Sequence, residues 1–170
     1  AVLTADGNGA FDKNWNDYDI VTQAVLGVLA VKPESNVKLL TDGSVPLTAF
    51  LPNDGAFRAL VKSLTGKTLT RERDIFAAVA GLGIPTVEAV LLYHVVPGKA
   101  INAKAALKAD GAVLPTAAGL TFAVRVGAGP RITLVDKDPN AANPQVILSQ
   151  TNINAANTQL AHGINAVLRP

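Results

Sequence analysis

The sequence predicts an α+β fold with a largely antiparallel sheet, on three observations. Apolar residues recur at helical spacing through the first half of the chain, from Ile20 to about Tyr93. After Gly111 the spacing turns to alternation, as in Leu120-Thr121-Phe122-Ala123-Val124-Arg125-Val126. Helical and extended segments are therefore grouped rather than interleaved, which argues against a repeated strand-helix-strand winding. Composition is the third: 49% of residues are hydrophobic but only 5% aromatic, so the core must be aliphatic.

Residues 1–16 are rich in Gly, Asn and Asp and read as a loose arm. Residues 17–170 then form one domain, a length that a single core accommodates. Ile20, Val21, Ala24, Val25 and Val28 set a helical stripe over about 20–31, with Asp19 as its cap and Pro33 as its stop. Leu47–Leu51 is a short strand closed by Pro52-Asn53-Asp54-Gly55, and a second helix covers about 54–64. Helices follow over about 72–82 and 86–93, the second capped by Thr86. Val95-Val96-Pro97-Gly98 reads as strand and turn, and Ile101–Leu107 as a short helical stretch. Strands are expected at Leu120–Val126, Arg131–Val135, Val146–Leu148 and His162–Leu168. The Asp, Pro and Asn of 136–144 make a turn-rich connection.

Several function classes are excluded or disfavoured at once. The chain has no Cys, which removes disulfides, thiolate metal sites and a Cys nucleophile. The longest apolar runs, such as Ala24–Val31, fall well short of the roughly 20 residues of a membrane span. With no Met even at position 1, the chain is expected to be a processed or trimmed product. Fifteen basic residues against 13 acidic ones give a net charge of +2. Lys99, Lys104 and Lys108 are scattered, and Arg71 and Arg73 flank Glu72, so no clustered basic face for nucleic acid is present.

Motif searches fail in turn. Gly66-Lys67-Thr68 looks like the end of a phosphate-binding loop, but position 61, where the first Gly must stand, is Val. Asp136-Lys137-Asp138-Pro139-Asn140 begins like a calcium loop, yet Ala141 and Ile147 stand where Gly and a bidentate Glu are needed. The same test on Asp6-Gly7-Asn8 fails at Phe11 and Asp17. The four Ser residues include no Gly-x-Ser-x-Gly elbow, and the two His, His94 and His162, lie far apart. No catalytic residue, metal ligand set or cofactor is expected.

Three segments carry a more specific signal. Leu47-Thr48-Ala49-Phe50-Leu51-Pro52-Asn53-Asp54-Gly55-Ala56-Phe57 resembles the first signature of fasciclin domains. Leu91-Leu92-Tyr93-His94-Val95-Val96-Pro97-Gly98 resembles that family's central tyrosine–histidine segment. Ala161-His162-Gly163-Ile164-Asn165-Ala166-Val167-Leu168-Arg169-Pro170 is similar to its closing signature, with Asn165 where the family usually has Asp. They occur in the family's order, and the stretch 65–85 looks like a bacterial branch.

The resemblance implies a wedge-shaped β-sandwich of mainly antiparallel strands with several helices packed along one edge. It implies a secreted or cell-surface protein, in adhesion or matrix, that contacts a protein or a surface glycan without catalysis. Nucleic-acid binding and membrane insertion are not expected, and the domain is expected to be a monomer. Tyr93, His94, Pro97 and His162 become the interaction candidates. For Tyr93 and His94 the alternative is a packing role, because Leu91, Leu92, Val95 and Val96 surround them with core residues; His94 should then be enclosed and hydrogen-bonded. Two rival functions stay open: a small-molecule binder using an apolar cleft, and a hydrolase whose site is assembled by folding.

Overall fold

A computed structural model describes residues 9–170. The Asp6-Gly7-Asn8 turn and the arm up to residue 8 lie outside the described residues. Five α-helices and two three-stranded sheets make a mixed α+β fold among the described residues. In order they are α1 (Asp19–Val31), β1 (Leu47–Pro52), α2 (Asp54–Thr65), α3 (Glu72–Ala80), α4 (Ile84–Tyr93), β2 (Val95–Pro97), α5 (Ala103–Ala106), β3 (Val113–Pro115), β4 (Thr121–Gly127), β5 (Arg131–Val135) and β6 (Gln159–Ile164). No single helix among the described residues is long and apolar enough to cross a membrane, and α3 and α4 meet at 106°.

The helices follow the apolar stripes. In α1 the buried residues are Ile20, Val21, Ala24, Val25 and Val28, as spaced in the sequence, with Asp19 buried beside them. Asp19 is not the cap, however; Tyr18 takes that position and Asp19 sits in the first turn. Asn53 caps α2, its Oδ1 accepting from the Ala56 amide at 2.9 Å, which satisfies one of the helix's orphan donors. The expected Thr86 cap is also corrected. Gly83, at φ +87°, takes the cap position three residues earlier and turns the chain into α4, and Pro85 occupies the first turn where its missing N–H costs nothing.

β1 organises the rest. All six of its residues are buried. It pairs antiparallel with β2 and parallel with β6, over six residues from Leu47↔Gln159 to Pro52↔Ile164. The second sheet, β3-β4-β5, is antiparallel throughout. Because side chains alternate along a strand, β1 feeds two cores. Leu47, Ala49 and Leu51 pack among α1, α2, α3 and α4 in one apolar cluster. Phe50 belongs to the other, with Tyr93, Val96, Phe122, Val124, Ile132, Leu134, Ile164 and Leu168.

The last expected strand is shifted. Extended pairing runs over Gln159–Ile164; Asn165–Pro170 leaves the sheet, and its last four residues border a cleft shared with the helices. Val146–Leu148 makes a single bridge, Val146↔Ile164, in place of a strand. Between β5 and that bridge, Asp136 and Asp138 accept from the amides of Asp138 and Asn140, the Asx turns expected there.

Candidate functional site

The α4–β2 junction holds the tyrosine–histidine pair in two different environments. Tyr93 is fully buried; its hydroxyl donates to the Thr121 carbonyl at 2.9 Å, and its ring stands edge-on to Phe122. Burial raises the phenol pKa above its ordinary value. His94 is also enclosed, at 4% exposure. Its Nδ1 lies 2.7 Å from the Val90 carbonyl, and its Nε2 accepts from the Leu168 amide at 2.9 Å. That pairing fixes the tautomer with the proton on Nδ1. Burial pushes the imidazole pKa down to about 4, so the ring is neutral at physiological pH. This is the enclosed, hydrogen-bonded histidine expected from its apolar flanks.

His162 is held in a similar way on β6. Its Nε2 lies 2.7 Å from the Ile101 carbonyl, Nδ1 accepts from the Asn152 amide, and the ring packs on Phe50. Burial lowers its pKa as well. Pro97 is exposed at the end of β2. Of the four candidates, then, Tyr93, His94 and His162 lie out of solvent and Pro97 alone faces it.

The surface feature next to this junction is an open apolar cleft of about 310 Å³. Phe57, Leu60 and Leu64 of α2, Leu82 after α3 and Val90 of α4 line it, and Val167–Pro170 forms one wall. Leu64 and Leu82 remain 54% and 43% exposed. His94 ties this wall in place through the Leu168 amide. Arg169 is anchored by its amide to Asp136 at 2.8 Å and by its guanidinium to Asp138 at 3.0 Å.

A second concentration of chemistry was not legible in the sequence. Asp12, Asp17 and Asp19 converge with Asp54 of α2 and Glu72 of α3. Asp54 Oδ1 accepts from the Ile20 amide at 2.9 Å and Glu72 Oε2 from the Asp12 amide at 2.6 Å. The Asp54 amide donates to the Asp17 carbonyl, and the Gly55 amide to the Trp15 carbonyl. Burial, with the neighbouring carboxyls adding to it, holds both Asp54 and Glu72 above the usual carboxylate range. Spacing rules for a contiguous loop cannot find this set, because its members come from three separate segments, the one entering α1 and the first turns of α2 and α3.

The Fasciclin domain family model matches residues 27–170. No curated protein matches the chain. Among solved structures, a FAS1 domain pair from the insect cell adhesion molecule fasciclin I aligns at 19% identity with a TM-score of 0.49. The alignment covers 89% of this chain and 43% of that one, so the chain spans less than half the length of the domain pair.

Proposed function

Because this chain belongs to the Fasciclin domain family, we propose that it is a non-enzymatic adhesion domain, secreted or held at a cell surface, that works by protein–protein contact. The observation that carries this reading is the open cleft beside the α4–β2 junction, whose walls offer apolar side chains. A glycan would present hydroxyls that such walls leave unpaired, at a cost of about 1–3 kcal/mol each. Apolar side chains of a protein partner suit the cleft instead, with Leu64 and Leu82 as the first groups met. Tyr93, His94 and His162 serve in this reading by positioning. His94 holds the Val167–Pro170 wall through the Leu168 amide, Tyr93 ties the junction to the second sheet through the Thr121 carbonyl, and His162 ties β6 to the Ile101 and Asn152 backbone, while Pro97 lies at the surface. Residues 17–170 act as one domain and as a monomer.

The same cleft favours a second reading, a carrier of a small apolar molecule, since about 310 Å³ reaches the lower end of ligand-pocket volumes. Its walls lack the several convergent polar groups that orient most small ligands, which ranks it second.

A photo-crosslinking residue at Leu64, with another at exposed Val113 on β3 as control, separates the two. On intact cells bearing the native surface, the Leu64 probe is expected to capture one defined protein. The control should not, and Leu82→Asp should abolish capture. No protein captured at Leu64, together with a small apolar molecule retained in native mass spectrometry, would overturn the adhesion reading in favour of the second.

A further inference from the structure

Five carboxyls meet where three helices begin, and the way their oxygens are used carries the argument. Asp19 lies in the first turn of α1, Asp54 opens α2, Glu72 opens α3, and Asp12 and Asp17 come from the segment entering α1. Asp54 and Glu72 each give one oxygen to a backbone amide. Their second oxygens, Asp54 Oδ2 and Glu72 Oε1, are out of solvent and meet no hydrogen-bond donor, and neither does Asp17 Oδ1. Asp54 and Glu72 are enclosed to 0% and 1% exposure. Oxygens of Asp17, Asp54 and Glu72 come within 4.8 Å of one another, and so do oxygens of Asp12, Asp17 and Asp19; Asp17 is common to both sets.

Enclosed anionic oxygens without a partner are costly, and here they face each other. The charges acting on Asp54 are Asp17 and Glu72, and those acting on Glu72 are Asp12, Asp17 and Asp19: all carboxyls. Helix N-termini supply about half a positive charge each, and the Ile20, Asp54 and Gly55 amides among them are already engaged. What the geometry lacks is a full positive charge between the free oxygens.

We propose that Asp17, Asp54 and Glu72, extended by Asp12 and Asp19, bind a calcium ion that fastens the segment before α1 to the first turns of α2 and α3. The donors are all carboxylate oxygens, the set a hard cation takes; both imidazoles are engaged elsewhere and the chain has no Cys. Calcium accepts six to eight oxygens at roughly 2.3–2.6 Å, singly or in bidentate pairs, so its shell spans oxygens about 4.8 Å apart. Magnesium demands a tighter octahedron at about 2.0–2.1 Å and keeps several waters, which an enclosed group of carboxyls serves less well. Three of the five, Asp12, Asp17 and Asp19, precede the region that the family model matches. The site departs from the expectation of no metal ligands, which rested on contiguous loops.

The test uses the full chain stripped with chelator, titrated with calcium or magnesium by calorimetry and by thermal unfolding. One saturable calcium event and a rise in Tm are expected, with a weaker response to magnesium. Trp15, the one tryptophan, lies between Asp12 and Asp17, so terbium in the site should show tryptophan-sensitised emission that calcium displaces. Asp54→Asn and Glu72→Gln keep an oxygen for the Ile20 and Asp12 amides while removing charge. Each is expected to fold, to match or exceed the metal-free Tm of the wild type, and to lose both the calcium shift and the terbium signal. Absence of saturable calcium binding to the wild type would overturn the proposal and leave a shared proton as the occupant. A calcium response that survives in the double variant would overturn it too, by placing the ion elsewhere.

Discussion

His94 is held between the Val90 carbonyl and the Leu168 amide, and no partner molecule is needed for either bond. Replacing it with Ala orphans the Leu168 amide and leaves a void behind the cleft wall. The expected loss is about 2–4 kcal/mol, combining roughly 1–3 for the orphaned group with a cavity term. Chemical denaturation of His94→Ala measures it; unchanged stability with lost adhesion would instead make His94 a contact residue. The depressed pKa gives an independent check. Since the folded value, about 4, lies below the unfolded value near 6.5, the unfolded chain takes up the proton first. The stability contributed by neutral His94 is therefore whole above pH 6.5. It is lost at about 1.4 kcal/mol per pH unit between 6.5 and 4, and His162 acts in the same direction. Imidazole NMR shifts of His94 should show no protonation at pH 5.5; an ordinary midpoint near 6.5 would mean that the ring is solvated. The enclosure of His94 was legible because Leu91, Leu92, Val95 and Val96 flank it. Its partner was not, since Leu168 is 74 residues away and is brought to it only by the fold.

Elements were read most reliably where the local signal and the tertiary environment agree. The stripe of α1 and the Pro-Asn-Asp-Gly run that ends β1 and opens α2 mark these elements to within a residue or so, because periodicity and turn residues are local chemistry, whereas the caps expected at Asp19 and Thr86 fall elsewhere. The closing strand, expected at His162–Leu168, begins three residues earlier and ends at Ile164. Val167 and Leu168 are as apolar as strand residues, but Val167 packs in the helical core and Leu168 in the second core without pairing, and the strand is set by parallel pairing with β1. Parallel pairing has no hairpin turn to announce it in the sequence. Within that strand Gly163 is fixed by close approach rather than by its backbone angle. A Cβ there would overlap the Tyr18 hydroxyl and stand 2.8 Å from Gln150 Oε1, the pair that hydrogen-bonds across the strand at 3.1 Å. Gly163→Ala should cost about 1–3 kcal/mol through overpacking, and thermal unfolding reads it. A variant as stable as the wild type would show that the Tyr18–Gln150 contact yields without cost.

At the scale of the whole molecule, β1 is the shared wall of both cores: Leu47, Ala49 and Leu51 serve the helical side and Phe50 the side of the second sheet. The sequence marked Leu47–Leu51 as a short strand, but alternation alone gave no sign that both its faces are covered or which later strands pair with it. A common wall predicts that residues 17–170 unfold as one unit, for loss of β1 removes a face from each core. Leu134 of β5 tests this, being fully buried in the second core. Trp15 reports on the opposite side, where it packs against the helical cluster and under the Arg58 guanidinium. Leu134→Ala should lower stability by about 2–5 kcal/mol. If the domain is cooperative, the Trp15 fluorescence transition and the far-ultraviolet dichroism transition shift together and by the same amount. A Trp15 transition left in place while dichroism shows an earlier partial loss would mean that the β3-β4-β5 sheet unfolds alone. Burial on both faces of β1 argues for the single transition, because a sheet that left would expose Phe50, Tyr93 and Ile164 to water together.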